Sequence, residues 1–204
     1  MRKIILVALL ISASSMILSC KSETKKETVV PKEKTAPYSL KTSKNSIGWT
    51  AYKTTEKVGV KGEFKKVNIT KNGDGNSVKE AIHNAEFSIP VSSIFTNLSD
   101  RDFKLRKFFF GVMDNTSLLS GTLVLDDENK GHAMITMNGI TERLDFVYTI
   151  ADKVFQLDAT MDLNKWNAQK AIESINEACK ELHKGSDGIS KTWDEVAINI
   201  SATF

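Results

Sequence analysis

The chain has 204 residues, of which 41% are hydrophobic and 26% charged, a balance that suits one globular domain. A formal net charge of +3 is too slight to argue for nucleic acid. The sequence contains neither a phosphate-binding loop nor a dinucleotide fingerprint.

The first residues read as a targeting segment. Arg2 and Lys3 precede a mostly apolar run, Ile4–Leu18, that is too short and too serine-interrupted for a comfortable membrane span. Ile17-Leu18-Ser19-Cys20 resembles the bacterial lipobox, whose cysteine is acylated and becomes the new N-terminus. The expectation is a signal peptide over 1–19, an acylated Cys20 opening a tether over 20–37, and a folded domain over 38–204. Such a chain is anchored in the bacterial cell envelope, each buried methylene of its acyl groups adding about 0.8 kcal/mol. Lys21–Pro37 is charged, carries two prolines and lacks aromatics, as a solvated spacer does. Cys179 is then the one cysteine left within the domain, and an internal disulfide is excluded.

From Tyr38 onward the pattern is mostly that of strands. Tyr38–Thr42 predicts a short one. Ile47–Thr54 alternates around Ile47, Trp49 and Ala51, and Val58, Val60, Gly62 and Phe64 continue with period two. The phase slips before Val67 and Ile69, which predicts a bulge near Lys65-Lys66. Asn72–Asn76 has the composition of a hairpin turn. Ala81, His83, Ala85, Phe87 and Ile89 form the next inward row, ended by Pro90.

Leu98–Gly111 breaks the alternation. Ser99 predicts a helix cap, Asp102 takes the acidic position of a capping box, and Leu98 and Phe103 are placed for a hydrophobic staple. Leu105, Phe108 and Phe109 share one face, with Phe103 and Phe110 on the other side. A helix apolar on two sides needs two coverings. The second is either the core it plugs or a bound apolar molecule.

Strand signals then resume. Leu119–Leu125 is followed by a polar turn, Ala133–Met137 by the hairpin pair Asn138-Gly139, and Leu144–Ile150 by Phe155–Leu163. Ala168, Ala171, Ile172, Ile175, Ala178, Cys179 and Leu182 mark a second helix over about 167–184, with Gly185 as its cap. Trp193–Phe204 closes the chain as a strand, with Val196, Ile198, Ile200, Ala202 and Phe204 on one face.

Strands joined by short turns, apolar on one face only, predict an all-β dominated fold. The expected form is an antiparallel β-barrel of about eight strands with a Phe-rich helix and an inserted C-terminal helix. Eight strands enclose either their own side chains or one small ligand.

Several segments resemble the YceI family of lipid-binding proteins, which implies a lipocalin-like β-barrel. Ser46–Thr50 with Val58–Phe64 resembles its opening hairpin and G-x-F pattern. Asp100-Arg101-Asp102, Leu105-Arg106 and Phe108-Phe109 resemble its central helix. Gly121-Thr122-Leu123 and Met137–Thr141 resemble its later strand and G-[VI]-T turn. The likeness spans roughly 38–204. Lys104 departs where many members have histidine, and Phe103 where many have an acid.

The resemblance implies non-catalytic binding of a polyisoprenoid or quinone-like lipid inside the barrel. It implies an apolar lipid and the membrane as partners and no cofactor beyond the lipid, and it leaves a homodimer open. The residues expected to hold the lipid are Trp49, Val60, Phe64, Phe87, Phe103, Leu105, Phe108, Phe109, Leu144, Phe146, Phe155 and Leu157. Arg101 is expected to pair with a carboxylate rather than meet a lipid head.

Three other readings use different features. A solid barrel would act through its outer face. Cys179 and His183, four apart, have the spacing of two ligands to a metal or a haem but are not a site by themselves. Catalysis would rest on His83, His132 or His183, none of which has a nucleophile or paired carboxylates beside it in sequence.

Overall fold

The computed structural model describes residues 36–204. The expected signal peptide, Cys20 and most of the expected tether lie outside the described residues.

A ten-stranded antiparallel sheet dominates and curls into a half-barrel. In chain order its strands are β2 (Lys44–Lys53), β3 (Val58–Phe64), β4 (Asn68–Lys71), β6 (Glu86–Pro90), β7 (Ile94–Phe95), β8 (Leu118–Leu125), β9 (Lys130–Met137), β10 (Ile140–Ala151), β11 (Val154–Asp162) and β12 (Thr192–Thr203). Their spatial order is β4-β6-β8-β9-β10-β11-β12-β2-β3-β7. The remaining two, β1 (Tyr38–Ser39) and β5 (Asp74–Gly75), pair with each other alone. The predicted hairpins of the second half all form. Asn138 and Gly139 take left-handed φ values of 53° and 70°, as a tight turn between β9 and β10 requires.

The phase slip after Phe64 is not a bulge. It marks where the chain leaves one sheet edge for the other. β3 pairs with edge strand β7, whereas β4 is the opposite edge. Only residues 65–67 join them, so the edges lie within about 14 Å of each other there. Val91–Ser93 makes a second crossing, from β6 to β7. Ser93 O accepts from the Lys65 backbone N–H at 2.9 Å, tying the two crossings together. The seam is held by bent chain instead of a strand ladder.

A helix missed by the alternation, α1 (Val78–Ile82), lies where a strand row was expected. Ser77 Oγ accepts from the Glu80 N–H, and Glu80 Oε2 accepts from the Asn76 N–H at 2.8 Å, a near-complete capping box. Its buried residues Val78, Ala81 and Ile82 plug one end of the half-barrel. Leu40, Leu125, Phe146, Tyr148, Phe155 and Leu157 complete that filled end.

The Phe-rich helix is irregular. α2 (Ser99–Lys104) passes into a π turn, Leu105–Phe109, and a 3-10 turn, Phe110–Val112. Leu98, not Ser99, is the cap residue, and no side chain caps the helix. Asp102 instead reaches further back: it accepts from the Thr96 N–H at 2.8 Å and the Thr96 hydroxyl at 2.6 Å. Leu98 and Phe103 are both about half exposed, so the expected staple buries neither.

The second predicted helix is shorter than expected. α3 (Gln169–Ala178) ends at Cys179 and not at Gly185, and a 3-10 turn, Lys180–Leu182, follows. Before it, Trp166 is fully buried, its indole N–H donating to Ile135 O at 2.9 Å. Removing an indole from water is worth about 4–6 kcal/mol before entropy, enough to seat the insertion firmly on the sheet.

Candidate functional site

β2 gives the domain a direction. It starts at Lys44, opposite Thr203 at the filled end, and finishes at Lys53, whose ammonium donates to Leu182 O at 2.7 Å. At this second end the inner face is not filled. A cavity of about 530 Å³ opens there, within the range of small-molecule sites.

The sheet wall of the cavity includes Trp49, Val60, Phe64, Met161 and Ile198. The roof comes from α2 and its π turn, through Leu105, Phe109 and Phe110, and from α3, through Ile175 and Cys179. The lining residues left exposed are Leu98, Ser99, Asp100 and Leu182, and they mark the mouth.

The π turn explains the roof. An extra residue in the turn rotates the following face. Phe109 and Phe110 thereby turn inward, edge to face at 4.9 Å, and Phe110 meets Phe64 at 6.3 Å. Phe103 and Phe108 stay outside, where the Lys107 ammonium sits 5.5 and 5.1 Å from their ring centres.

Of the residues expected to hold a lipid, Trp49, Val60, Phe64, Leu105 and Phe109 line the cavity. Phe146, Phe155 and Leu157 lie in the filled end, and Leu144 and Phe87 belong to the packed wall. Strand period assigned these residues to the inner face but not to one end of it. Phe110, Met161 and the α3 residues were missed, because which end is hollow depends on α1, hidden in an alternating row.

Two features of the wall centre on Trp49. The Trp49 indole N–H is buried without an acceptor among the described residues. Gly62, directly across from Trp49 on β3, leaves the space its ring occupies, since a Cβ there would overlap the indole.

The mouth carries charge. Lys53, Arg101 and Lys104 all contribute to the lining, with Asp100 as the acid among them. Asp100 pairs with Lys104 at 2.7 Å. Contrary to expectation, Arg101 forms no ion pair among the described residues. His183 Nδ1 lies 2.7 Å from Thr192 Oγ1, and the Thr192 hydroxyl donates to Asn176 Oδ1 at 2.9 Å. Thr192 has one proton to give, so His183 donates from Nδ1. Burial, then Lys53 and Lys104, push the His183 pKa down to about 4. Burial raises the Cys179 thiol. Among the described residues no group of three metal-ligating side chains occurs.

A second depression, of about 730 Å³, lies on the outer face among Asp126, Lys130, Arg143, Asp145 and Asp158. Arg143 pairs there with Asp126 at 3.1 Å and Asp145 at 2.6 Å, the pattern of a solvated polar face.

A curled antiparallel half-barrel, filled at one end and hollow at the other under two short helices, defines the architectural class. The YceI-like domain family matches residues 38–204, and the chain belongs to it. No curated protein sequence matches. Among solved structures, a polyisoprenoid binding domain from Saccharophagus degradans implicated in plant cell wall breakdown aligns with a TM-score of 0.55 at 12% identity. That alignment covers 78% of this chain and 91% of the other. BcnA of Burkholderia cenocepacia aligns with a TM-score of 0.53 at 16% identity, covering 82% and 99%. At such identities the likeness establishes the fold.

Proposed function

We propose that this protein binds a long apolar lipid, of polyisoprenoid or quinone-like type, in the cavity under α2 and α3. The role is carriage or sequestration without catalysis. The carrying observation is the hollow end itself: about 530 Å³ walled by Trp49, Val60, Phe64, Leu105, Phe109 and Phe110, in a fold whose other end is fully packed. Membership of the YceI-like family and the polyisoprenoid-binding neighbour support the same reading. Burying about 300 Å² of prenyl surface contributes about 7 kcal/mol before the costs of association, so apolar contact alone suffices for capture.

In the same proposal the protein is an envelope lipoprotein, exported by residues 1–19, held by acylated Cys20 and carrying the domain 38–204 on a short spacer. The lipobox-like Ile17–Cys20 supports this part.

The described residues carry their own core, so residues 36–204 form a suitable sample. Native mass spectrometry of that stretch, purified from a bacterial periplasm without detergent and then extracted with organic solvent, tests the binding. A retained prenyl or quinone mass is expected. An apo mass together with no saturable uptake of added prenyl lipids overturns the reading. Labelling with a radioactive fatty acid in wild type and Cys20→Ala tests the anchor, and equal labelling sinks it.

A further inference from the structure

We propose that the mouth of the cavity selects amphiphiles with an anionic head, a carboxylate or a phosphate, held by Arg101 with Lys53 and Lys104. This rests on the apolar-chain reading above and adds the chemistry of the other end of the ligand.

The mouth has three cations and one acid. Asp100 is mostly exposed and engages only Lys104, so two positive charges remain uncompensated. Lys53 is oriented by the Leu182 carbonyl, a dipole that fixes the ammonium without neutralising it. Arg101 is half-buried on the cavity wall and makes neither an ion pair nor a side-chain hydrogen bond among the described residues. A guanidinium drawn partly out of water beside an apolar wall pays desolvation that only an anion returns well, because its planar fork matches two oxygens at once.

Two neighbouring groups sense the same field. His183 feels both Lys53 and Lys104, and its ring is held neutral. Lys53, Asp100, Arg101 and Lys104 line the same cavity as Cys179, whose thiol feels all four charges. The tail slot and the cationic collar are therefore adjacent, as an amphiphile needs. A neutral alcohol or quinone head would use one donor and leave the positive excess standing.

The test holds the tail constant and varies the head. Farnesol, farnesyl phosphate, farnesoate and farnesylamine are titrated into residues 36–204 at neutral pH and low salt, below their aggregation limits. Quenching of tryptophan fluorescence is read, since Trp49 and Trp193 both line the cavity. The anions are expected to bind at least about tenfold tighter than farnesol, with the amine weakest. An advantage confined to the phosphate assigns that head, and one shared with farnesoate admits carboxylates. In Arg101→Gln combined with Lys104→Gln the anion-to-alcohol ratio should collapse to within about threefold. Lys107→Gln, on the same helix but outside the cavity, should keep it. Circular dichroism and thermal melts confirm that each variant is folded. Equal affinity for all four heads, or an anion preference that survives the double substitution, overturns the proposal while leaving the apolar reading intact. Failure of all four ligands to bind removes both.

Discussion

Trp49 and Gly62 face each other across β2 and β3, and the indole occupies the volume a side chain at 62 would need. The pair builds one wall of the cavity from a large and a null side chain. Gly62→Val should push the ring toward the cavity and strain β3. A loss of about 1–3 kcal/mol is expected, with a changed tryptophan emission and weaker uptake of farnesol. Urea unfolding and fluorescence titration check both, and a wild-type emission spectrum would show the ring has not moved.

The two ends of the domain should respond differently to truncation. Ile82 is 1% exposed in the filled end, and Ile82→Ala should cost about 2–5 kcal/mol without altering ligand affinity in the folded protein. Phe109 is half-buried over the cavity, and Phe109→Ala should cost less, about 1–2 kcal/mol, yet lower lipid retention several-fold. Melting curves and retained-lipid mass for the two variants separate the cases. Equal retention in Phe109→Ala and wild type would remove the π turn from the binding surface.

Asp102 should matter through Thr96 and not through a ligand. Its carboxylate accepts both the backbone N–H and the hydroxyl of Thr96, and both residues are buried. Asp102→Ala leaves two donors without an acceptor and should destabilise by about 2–4 kcal/mol, lowering Tm by roughly 4–12 °C. Asp102→Asn keeps one carbonyl oxygen in place and should recover part of the loss. No change in Tm for Asp102→Ala would show that water replaces the carboxylate at no cost.

Acid should weaken the roof through His183. Its folded pKa of about 4 lies below the ordinary 6.5, because the ring is buried and faces Lys53 and Lys104, with Arg101, Asp100 and Cys179 close by. The unfolded chain gains a proton that the fold refuses. The stabilisation is therefore complete above pH 6.5 and is lost as the pH falls toward 4. His183→Asn removes this titration, so its stability should decline less steeply across that window. Denaturant unfolding of both proteins over the window decides it, and parallel slopes would refute the assignment.

Much of the fold was legible because local chemistry and tertiary structure agree over the second half. Asn138-Gly139 and the alternation from Phe155 to Leu163 fix turns and inner faces without help from distant residues. Legibility failed where one pattern fits two structures. Ala81, His83 and Ala85 alternate like a strand, yet Ser77 and Glu80 cap a helix there. The slip at Lys65-Lys66 looks like a bulge when only neighbours are considered, and is a crossing between edges when the sheet curls. The roof could not be phased, because a π turn abandons the 3.6-residue period that placed Phe108 beside Phe109. Arg101 was expected to pair with a carboxylate and does not, for a related reason: the absence of a partner is a property of the folded surroundings, invisible in its sequence neighbours.

The direction of β2 separates the start of the domain from its opening. The described chain begins at the filled pole, beside Leu40 and α1, and the opening lies a whole strand away, beside Lys53 and Leu182. A bead or surface coupled at residue 36 therefore leaves the doorway unobstructed.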